Sequence, residues 1–314
     1  MDKSHLMYDA LVIGGGPAGL TAALQLARFN RQVILFDSGM GRSTYHQVNH
    51  NYLGFPGGIG VREFRDIARK QVREYPIACI NEAVMAVKRR EGYFTARDEH
   101  KRLYRGRTAV FATGVTDHFP RFPEWTDYVG RSIFWCIVCD GYATRGKRIV
   151  IVGNATEAAV TALQFLQFTH QITMLTNAPK NDMSEAVCDE LASHNIDVVV
   201  DTIAGIEGHD GILGRVRLGG GGALEADFLF SLEGCAPNNK LARSVGVEVD
   251  EEGFIITDEE QVTCVPGAFA AGDVTRILAH QVSTAVHEGN TAATAANYYL
   301  YSPWQKHETY EKSE

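Results

Sequence analysis

The apolar positions of this chain gather into short continuous runs, each closed by small residues and several followed by apolar positions at helical spacing. Asp9-Ala-Leu-Val-Ile13 is the first run. A strand buried on both faces shows no alternation, so continuity rather than a period of two marks it. Gly14-Gly15-Gly16-Pro17-Ala18-Gly19 follows, then a helical pattern from Leu20 to Phe29, then a second run, Gln32-Val-Ile-Leu-Phe-Asp37. Strand, turn, helix and strand in that order predict a β–α–β unit. Thr108-Ala-Val-Phe-Ala-Thr113-Gly114 and the distant Gly267-Ala-Phe-Ala-Ala-Gly272-Asp273 read as further strands of the same sheet, the latter followed by a helical run from Gln281 to Leu300.

Between these pieces lies a second series. Strands are predicted over 148–152, 171–175 and 196–200, with helices over 156–168 and 184–194. Gly219-Gly-Gly-Gly222 reads as the loop of a hairpin with strands 214–218 and 224–230. It lacks the strand before and helix after that a phosphate loop needs. The chain therefore leaves its first domain near Thr116 and returns near Pro237. The predicted fold is α/β, with two Rossmann-like, doubly wound, three-layer domains. The first spans 1–116 and 237–314, and the second, 117–236, is inserted into it.

The 314 residues and 45% hydrophobic content suffice for two cores, and the net charge of −8 argues against a nucleic-acid binder. Charge is unevenly spread: Val61 to Arg107 holds 13 Lys+Arg against 7 Asp+Glu, a solvated surface or a docking face for an acidic protein. No run of 18 apolar residues exists, so no transmembrane segment is expected. Met1-Asp2-Lys3-Ser4-His5 leads into the first strand without a signal-peptide pattern, and a cytoplasmic location is expected.

Two sites of chemistry stand out. In the first turn, Gly14 permits the tight bend, Gly16 lets a pyrophosphate approach backbone, and Gly19 allows close helix–strand packing; Pro17 and Ala18 complete the loop. The phosphates then meet the unpaired N–H groups of a helix N-terminus, and Asp37 suits a ribose hydroxyl pair. The second site is Cys136-Ile-Val-Cys139-Asp140. Of six cysteines only Cys136 and Cys139 are close together; Cys79, Cys188, Cys235 and Cys264 are expected as small buried hydrophobes. A zinc site would need a second ligand pair at suitable spacing, and none is present, so redox exchange is the favoured chemistry. A thiolate attacks a partner disulfide, the second cysteine resolves the mixed disulfide, and Asp140 is placed to shuttle the proton. His46 and His50, four apart but on no predicted helix, are not read as metal ligands; no metal is expected.

With these pieces placed, the chain resembles the low-molecular-weight thioredoxin reductases from end to end. The matching segments are Gly14–Gly19, Asn51-Tyr-Leu-Gly-Phe-Pro-Gly57, Ala112-Thr113-Gly114, Cys136–Gly141, Gly234-Cys-Ala-Pro-Asn238 and Ala271-Gly272-Asp273. The resemblance implies FAD along the first domain, contacted by Asn51, Thr113, Gly114, Gly272, Asp273 and Gln281. It implies Cys139 as the flavin-facing thiol, Cys136 as the partner-facing one, a thioredoxin-like protein partner and a homodimer.

The second domain departs from that pattern. Where the family shows Gly-x-Gly-x-x-Ala, this chain has Gly153-Asn-Ala155-Thr-Glu157-Ala158. A methyl group stands where pyrophosphate must approach, and an acid stands at the helix N-terminus, where it repels phosphate. Leu175-Thr-Asn-Ala-Pro-Lys180 supplies neither the arginines of an NADPH site nor the acid of an NADH site. The chain thus resembles most the pyridine-nucleotide-independent branches, the ferredoxin-dependent flavin thioredoxin reductases and the diflavin-linked disulfide oxidoreductases. The first implies ferredoxin as a partner. The second implies a second flavin per chain; Tyr45–His50 and the tail Tyr298–Trp304 offer aromatic and polar groups either for it or to cap the first, the alternative for the tail being that it packs on its own domain or on a dimer partner. An NADPH-dependent thioredoxin reductase and a non-enzymatic flavin redox sensor stand as alternatives.

Overall fold

The structure, a computed structural model, describes residues 6–275 and 280–306. It divides into two compact units, one of Met1–Thr44, Arg62–Thr116 and Ala236–Glu314, the other of Tyr45–Val61 and Asp117–Cys235. Segment 45–61, placed by sequence with the first domain, is thus counted with the inserted one. Its side chains explain this: Tyr45 packs edge-on against Phe119 and Trp135, and Gln47 hydrogen-bonds to Asp140.

The sheet of the first unit runs in the order Ala78–Ile80, Val33–Phe36, Met7–Ile13, Leu103–Phe111, Tyr93–Asp98 and Val84–Arg90. Met7–Ile13 is paired in parallel on both sides. Its continuous apolar run splits by parity between two cores. Leu11 and Ile13 join Ile34, Phe36 and Phe111 on one face, under Val87, Phe94 and Tyr104. Ala10 and Val12 join Val33, Leu35 and Val110 on the other, under two helices, Pro17–Arg28 and Val282–Tyr299. Burying each such Leu, Ile or Phe contributes roughly 1.5–3 kcal/mol. Leu103–Phe111 has two partners along one edge: Leu103–Gly106 pairs antiparallel with Tyr93–Asp98, and Ala109–Phe111 pairs parallel with Ala268–Ala270.

The second unit is built on a parallel sheet in the order Ile133–Phe134, Phe228–Ser231, Ile149–Val152, Ile172–Leu175 and Asp197–Val199. Helices Thr156–Gln164 and Glu185–Ser193 cover one face, where Ile149 and Ile151 are buried. On the other, Val150 and Val152 share a core with Leu213, Val216 and Leu224 of an antiparallel sheet, Ile203–His209, Ile212–Leu218 and Ala223–Glu225. The single strand expected over 224–230 is two. Ala226 is fully buried, and the Asp227 carboxylate accepts from the Arg148 backbone N–H and guanidinium, both at 2.9 Å. That turn sends the chain from the antiparallel sheet into the parallel one.

The two helices of the first unit touch backbone to backbone. A Cβ on Gly289 would lie 2.2 Å from the Ala18 carbonyl oxygen, and the surrounding helix positions Ala285, Ala292, Ala293 and Ala296 are all buried alanines. Gly289→Leu should therefore force the helices apart and destabilise the protein by about 1–3 kcal/mol or more, read as a fall in thermal midpoint. A midpoint unchanged from wild type would mean the helices do not meet at this point.

Candidate active site

Gly14 ends the first strand at φ +122°, where a Cβ would sit 2.0 Å from the Ala112 carbonyl oxygen; a Cβ on Gly19 would sit 1.8 Å from the Gly14 oxygen. Both positions are filled by the chain's own backbone. Gly16 differs, since nothing lies within 4 Å of its Cβ position. It caps Pro17–Arg28 with extended backbone and no side-chain cap, and no acidic residue occupies the first turn. Pro17 supplies the φ a first helical residue needs and has no N–H to lose, while Ala18 and Gly19 are buried. An open approach to an uncapped helix N-terminus fits the pyrophosphate of FAD.

Asp37, nearly buried, closes the neighbouring strand. Its carboxylate is held by Arg65 at 2.7 Å, Arg69 at 2.6 Å and the Gly39 N–H at 2.9 Å. Neither arginine was singled out from sequence; both lie on Val61–Arg73, at the i and i+4 spacing that puts them on one helix face. Thr113 and Gly114 are stapled by Asn238, which accepts from the Thr113 hydroxyl through its carbonyl (2.7 Å), donates its amide to the Thr113 carbonyl (3.0 Å), and donates its N–H to Gly114 (2.9 Å). Gly272 donates its N–H to Glu288 at 2.6 Å, and the Thr275 hydroxyl joins it at 3.0 Å. Burial pushes the Glu288 carboxyl up. Glu288 had no signal beyond being an acid on the apolar face of a helical run. Asp273 ion-pairs with Arg42 at 2.7 Å. Gln281, expected beside the flavin ring, is the N-cap of Val282–Tyr299, in a reciprocal capping box with Thr284.

All of these residues belong to the first unit, whereas Asn51 is an exposed turn residue of the other. The aromatic tail packs on its own helix: Tyr301 accepts from Asn297 at 3.0 Å and lies under the Arg31 guanidinium. Of the scattered cysteines, Cys79 and Cys188 are half-buried and pack against the two cores as small hydrophobes, Cys235 is half-buried, and Cys264, expected buried, is exposed, its sulfur between Gly246 and Glu248 in a surface turn.

Cys136 and Cys139 form a disulfide, their Cα atoms 5.3 Å apart. Cys136 caps the one-turn helix Ile137–Asp140, its sulfur accepting the Cys139 N–H at 3.1 Å. Asp140 is 5% exposed. Burial pushes its carboxyl up to about 7, opposed by a hydrogen bond of 3.0 Å from the Gln47 amide. A carboxyl with that pKa both gives and takes a proton near neutrality, as acid–base work on a dithiol requires.

The turn of the inserted unit differs in occupancy from the first. Ala155 caps Thr156–Gln164, with Glu157 in the first turn. Asn154 is bonded across to the loop after Ile172–Leu175: its amide donates to the Lys180 carbonyl (3.1 Å) and the Asp182 carboxylate (3.0 Å), and its oxygen accepts the Asp182 N–H (2.9 Å). Lys180 is itself paired with Asp182 at 2.7 Å. Where the first turn leaves space, this one is tied to its neighbour.

Because the approach at Gly16 is open, Gly16→Val should leave the fold intact yet purify without yellow colour. Full flavin content in that variant would remove the pyrophosphate from this turn.

The pyridine nucleotide-disulphide oxidoreductase profile matches residues 8–289. Thioredoxin reductase tcpT of Claviceps purpurea is 31% identical over 314 residues, covering 96% of each chain. NADPH-dependent thioredoxin reductase 3 of Arabidopsis thaliana is 30% identical, with 95% of this chain aligned to 59% of that protein. The crystal structure of thioredoxin reductase from Streptococcus pyogenes superposes with a TM-score of 0.87 at 27% identity, over 94% of this chain and 98% of that one. Together with the Cys136–Cys139 disulfide, these likenesses place the chain in the pyridine nucleotide-disulphide oxidoreductase family, as an FAD-dependent disulfide oxidoreductase.

Proposed function

We propose that this chain exchanges electron pairs between FAD and the Cys136–Cys139 pair without a nicotinamide nucleotide, and that the dithiol serves a thioredoxin-like protein. The active species in this reading is a homodimer. The observation that carries the reading is the tied second turn. Asn154, Lys180 and Asp182 are bonded to one another where a dinucleotide's phosphates would enter, and two carboxylates, Glu157 and Asp182, stand at that helix N-terminus. Admitting a dinucleotide there means breaking three surface hydrogen bonds and bringing phosphate toward Glu157, Asp182 being paired with Lys180.

When bound, FAD supplies a two-electron carrier, and Gly14–Gly19, Asp37, Thr113, Gly114, Gly272 and Asp273 are the residues that would hold it. The protein's own part is thiol chemistry. Cys136 and Cys139 alternate between disulfide and dithiol, and each exchange with a partner disulfide moves two electrons and needs a proton delivered or removed at sulfur. Asp140, adjoining Cys139 and titrating near neutrality, is the group proposed to carry that proton.

The other redox partner is then ferredoxin or another acidic carrier, with a second flavin as the diflavin alternative. A basic face supports the acidic carrier. Register puts Lys88, Thr95 and Arg105 in one cross-strand row, and on that face of the sheet Lys88, Arg90, Arg97 and Arg107 are exposed and Arg105 is half-buried. The opposite face, with Val87, Phe94, Ala96 and Tyr104, is buried.

Anaerobic stopped flow tests the reading. Dithionite should bleach the flavin, whereas micromolar NADPH or NADH should not on a catalytic timescale, and Cys136→Ser with Cys139→Ser should abolish exchange with thioredoxin. Rapid bleaching by NADPH would instead favour the ordinary reductase, which the likeness to the Arabidopsis protein named NADPH-dependent keeps in view. Reduced ferredoxin should bleach the flavin at a rate that falls steeply with salt, and Lys88→Glu with Arg105→Glu should slow it about tenfold or more at low ionic strength. A salt-independent rate, equal in the variant, would remove the basic face from the account.

A further inference from the structure

We infer that Gln47 is a positioning residue for the dithiol's acid–base group, holding one oxygen of Asp140 so that the other carries the exchanging proton. The inference rests on the reading of Asp140 as that group and deepens it. The Gln47 side-chain amide donates to Asp140 Oδ2 at 3.0 Å, and both residues are nearly buried, at 6% and 5% exposure. Among the described residues no other hydrogen-bond partner of the Asp140 carboxyl is found, and no charged group contributes to its titration. Oδ1 is therefore the oxygen left to bind and release a proton.

The surroundings of Gln47 fix its backbone from several sides. Its carbonyl accepts the Val61 N–H at 3.0 Å, closing the neck of a loop whose strands Val48–Asn49 and Ile59–Gly60 pair antiparallel. The residue before it, His46, lies 3.4 Å from the Arg131 guanidinium, and Tyr45 packs against Phe119 and Trp135, the residue next to Cys136. Gly130, at φ +77°, fits flush against the other side: a Cβ there would be 2.4 Å from the Gln47 nitrogen. Three consecutive side chains thus dock the segment on the dithiol unit, and the amide is brought to the carboxyl with little freedom to leave it.

Chemistry explains an amide rather than an acid or an aliphatic residue at 47. A neutral donor favours the ionised carboxyl, against the burial that favours the protonated one. The balance leaves Asp140 poised near neutrality. An aliphatic residue would leave burial unopposed and favour the protonated carboxyl further. A second carboxyl would share its proton with the first, so that the second proton of the pair leaves only at higher pH.

The test uses the FAD-loaded enzyme, mixed anaerobically with excess dithiothreitol, with flavin bleaching followed in a single turnover from pH 5 to 9. Wild type should show a limb near 7, and Asp140→Asn should lack the limb and bleach about 10²–10⁴-fold more slowly. Gln47→Leu should move the limb up by about one pH unit, because the carboxylate loses its donor. Gln47→Glu, nearly isosteric and so expected to fold, should move it up as well, and Gln47→His, which restores an N–H donor, should bring it back. A limb that stays at the wild-type position in Gln47→Leu, or in Gln47→Glu should the former not fold, overturns the inference while leaving Asp140 in its role. An Asp140→Asn protein with the wild-type limb and rate overturns both.

Discussion

Backbone meeting backbone at the end of the first strand is the contact on which the first unit depends. Gly14 rests on the Ala112 carbonyl, Gly19 on the Gly14 carbonyl, and Gly289 on the Ala18 carbonyl, with no room for a side chain at any of the three. Those contacts stack two helices and the ends of three strands within a few ångströms. Gly272 lies against Ala18, and Glu288, one residue from Gly289, turns inward to take the Gly272 N–H. The open space at Gly16 follows from the same geometry, because the helix is drawn so tightly to the sheet that its first turn projects past the strand end.

The two units share one architectural device and line it differently. Each has a parallel strand, a turn and a helix starting at that turn, but electrostatics and side-chain reach diverge. The first turn is lined by glycines and has no acid in its first helical turn; the second carries Glu157, and Asn154 reaches across to Lys180 and Asp182. A helix N-terminus attracts anions only where its amides face space. An asparagine and an aspartate, neither unusual in a loop, are enough to tie this turn to its neighbour.

How much of this was legible in sequence depends on the range of the interaction. Met7–Ile13, the turn after it and the Cys136–Cys139 pair declare themselves through runs and spacings of a few residues, and the structure places a strand, a glycine turn and a disulfide there. The departure at Ala155 and Glu157 was equally local. What stayed hidden acts across long separations. Gln47 is 93 residues from Asp140, and Asn154 is 28 from Asp182. Neither glutamine nor asparagine differs in pattern from an ordinary loop residue. The split at Ala226–Asp227 was hidden for another reason: apolar residues run through it, and only the ion pair with Arg148 marks where one sheet hands the chain to another.

The double pairing of Leu103–Phe111 has a consequence for how the chain assembles. Its inner half needs Ala268–Ala270, and Ala109 pairs with Ala268 across more than half the sequence. Until that strand arrives, Ala109–Phe111 is an apolar edge with unpaired amides and carbonyls, the kind of surface on which chains aggregate. The parallel sheet of the inserted unit, by contrast, is drawn from one uninterrupted stretch, Asp117–Cys235. During synthesis that sheet has all its strands available first, while the flavin-type unit waits for the last quarter of the chain. Contacts between residues so far apart in sequence slow folding, so this unit, with the dinucleotide turn already emerged near the N-terminus, is the part whose completion is delayed. Cofactor binding at Gly14–Gly19 would then favour the closed sheet over the open edge, making the ligand a participant in folding as well as in catalysis.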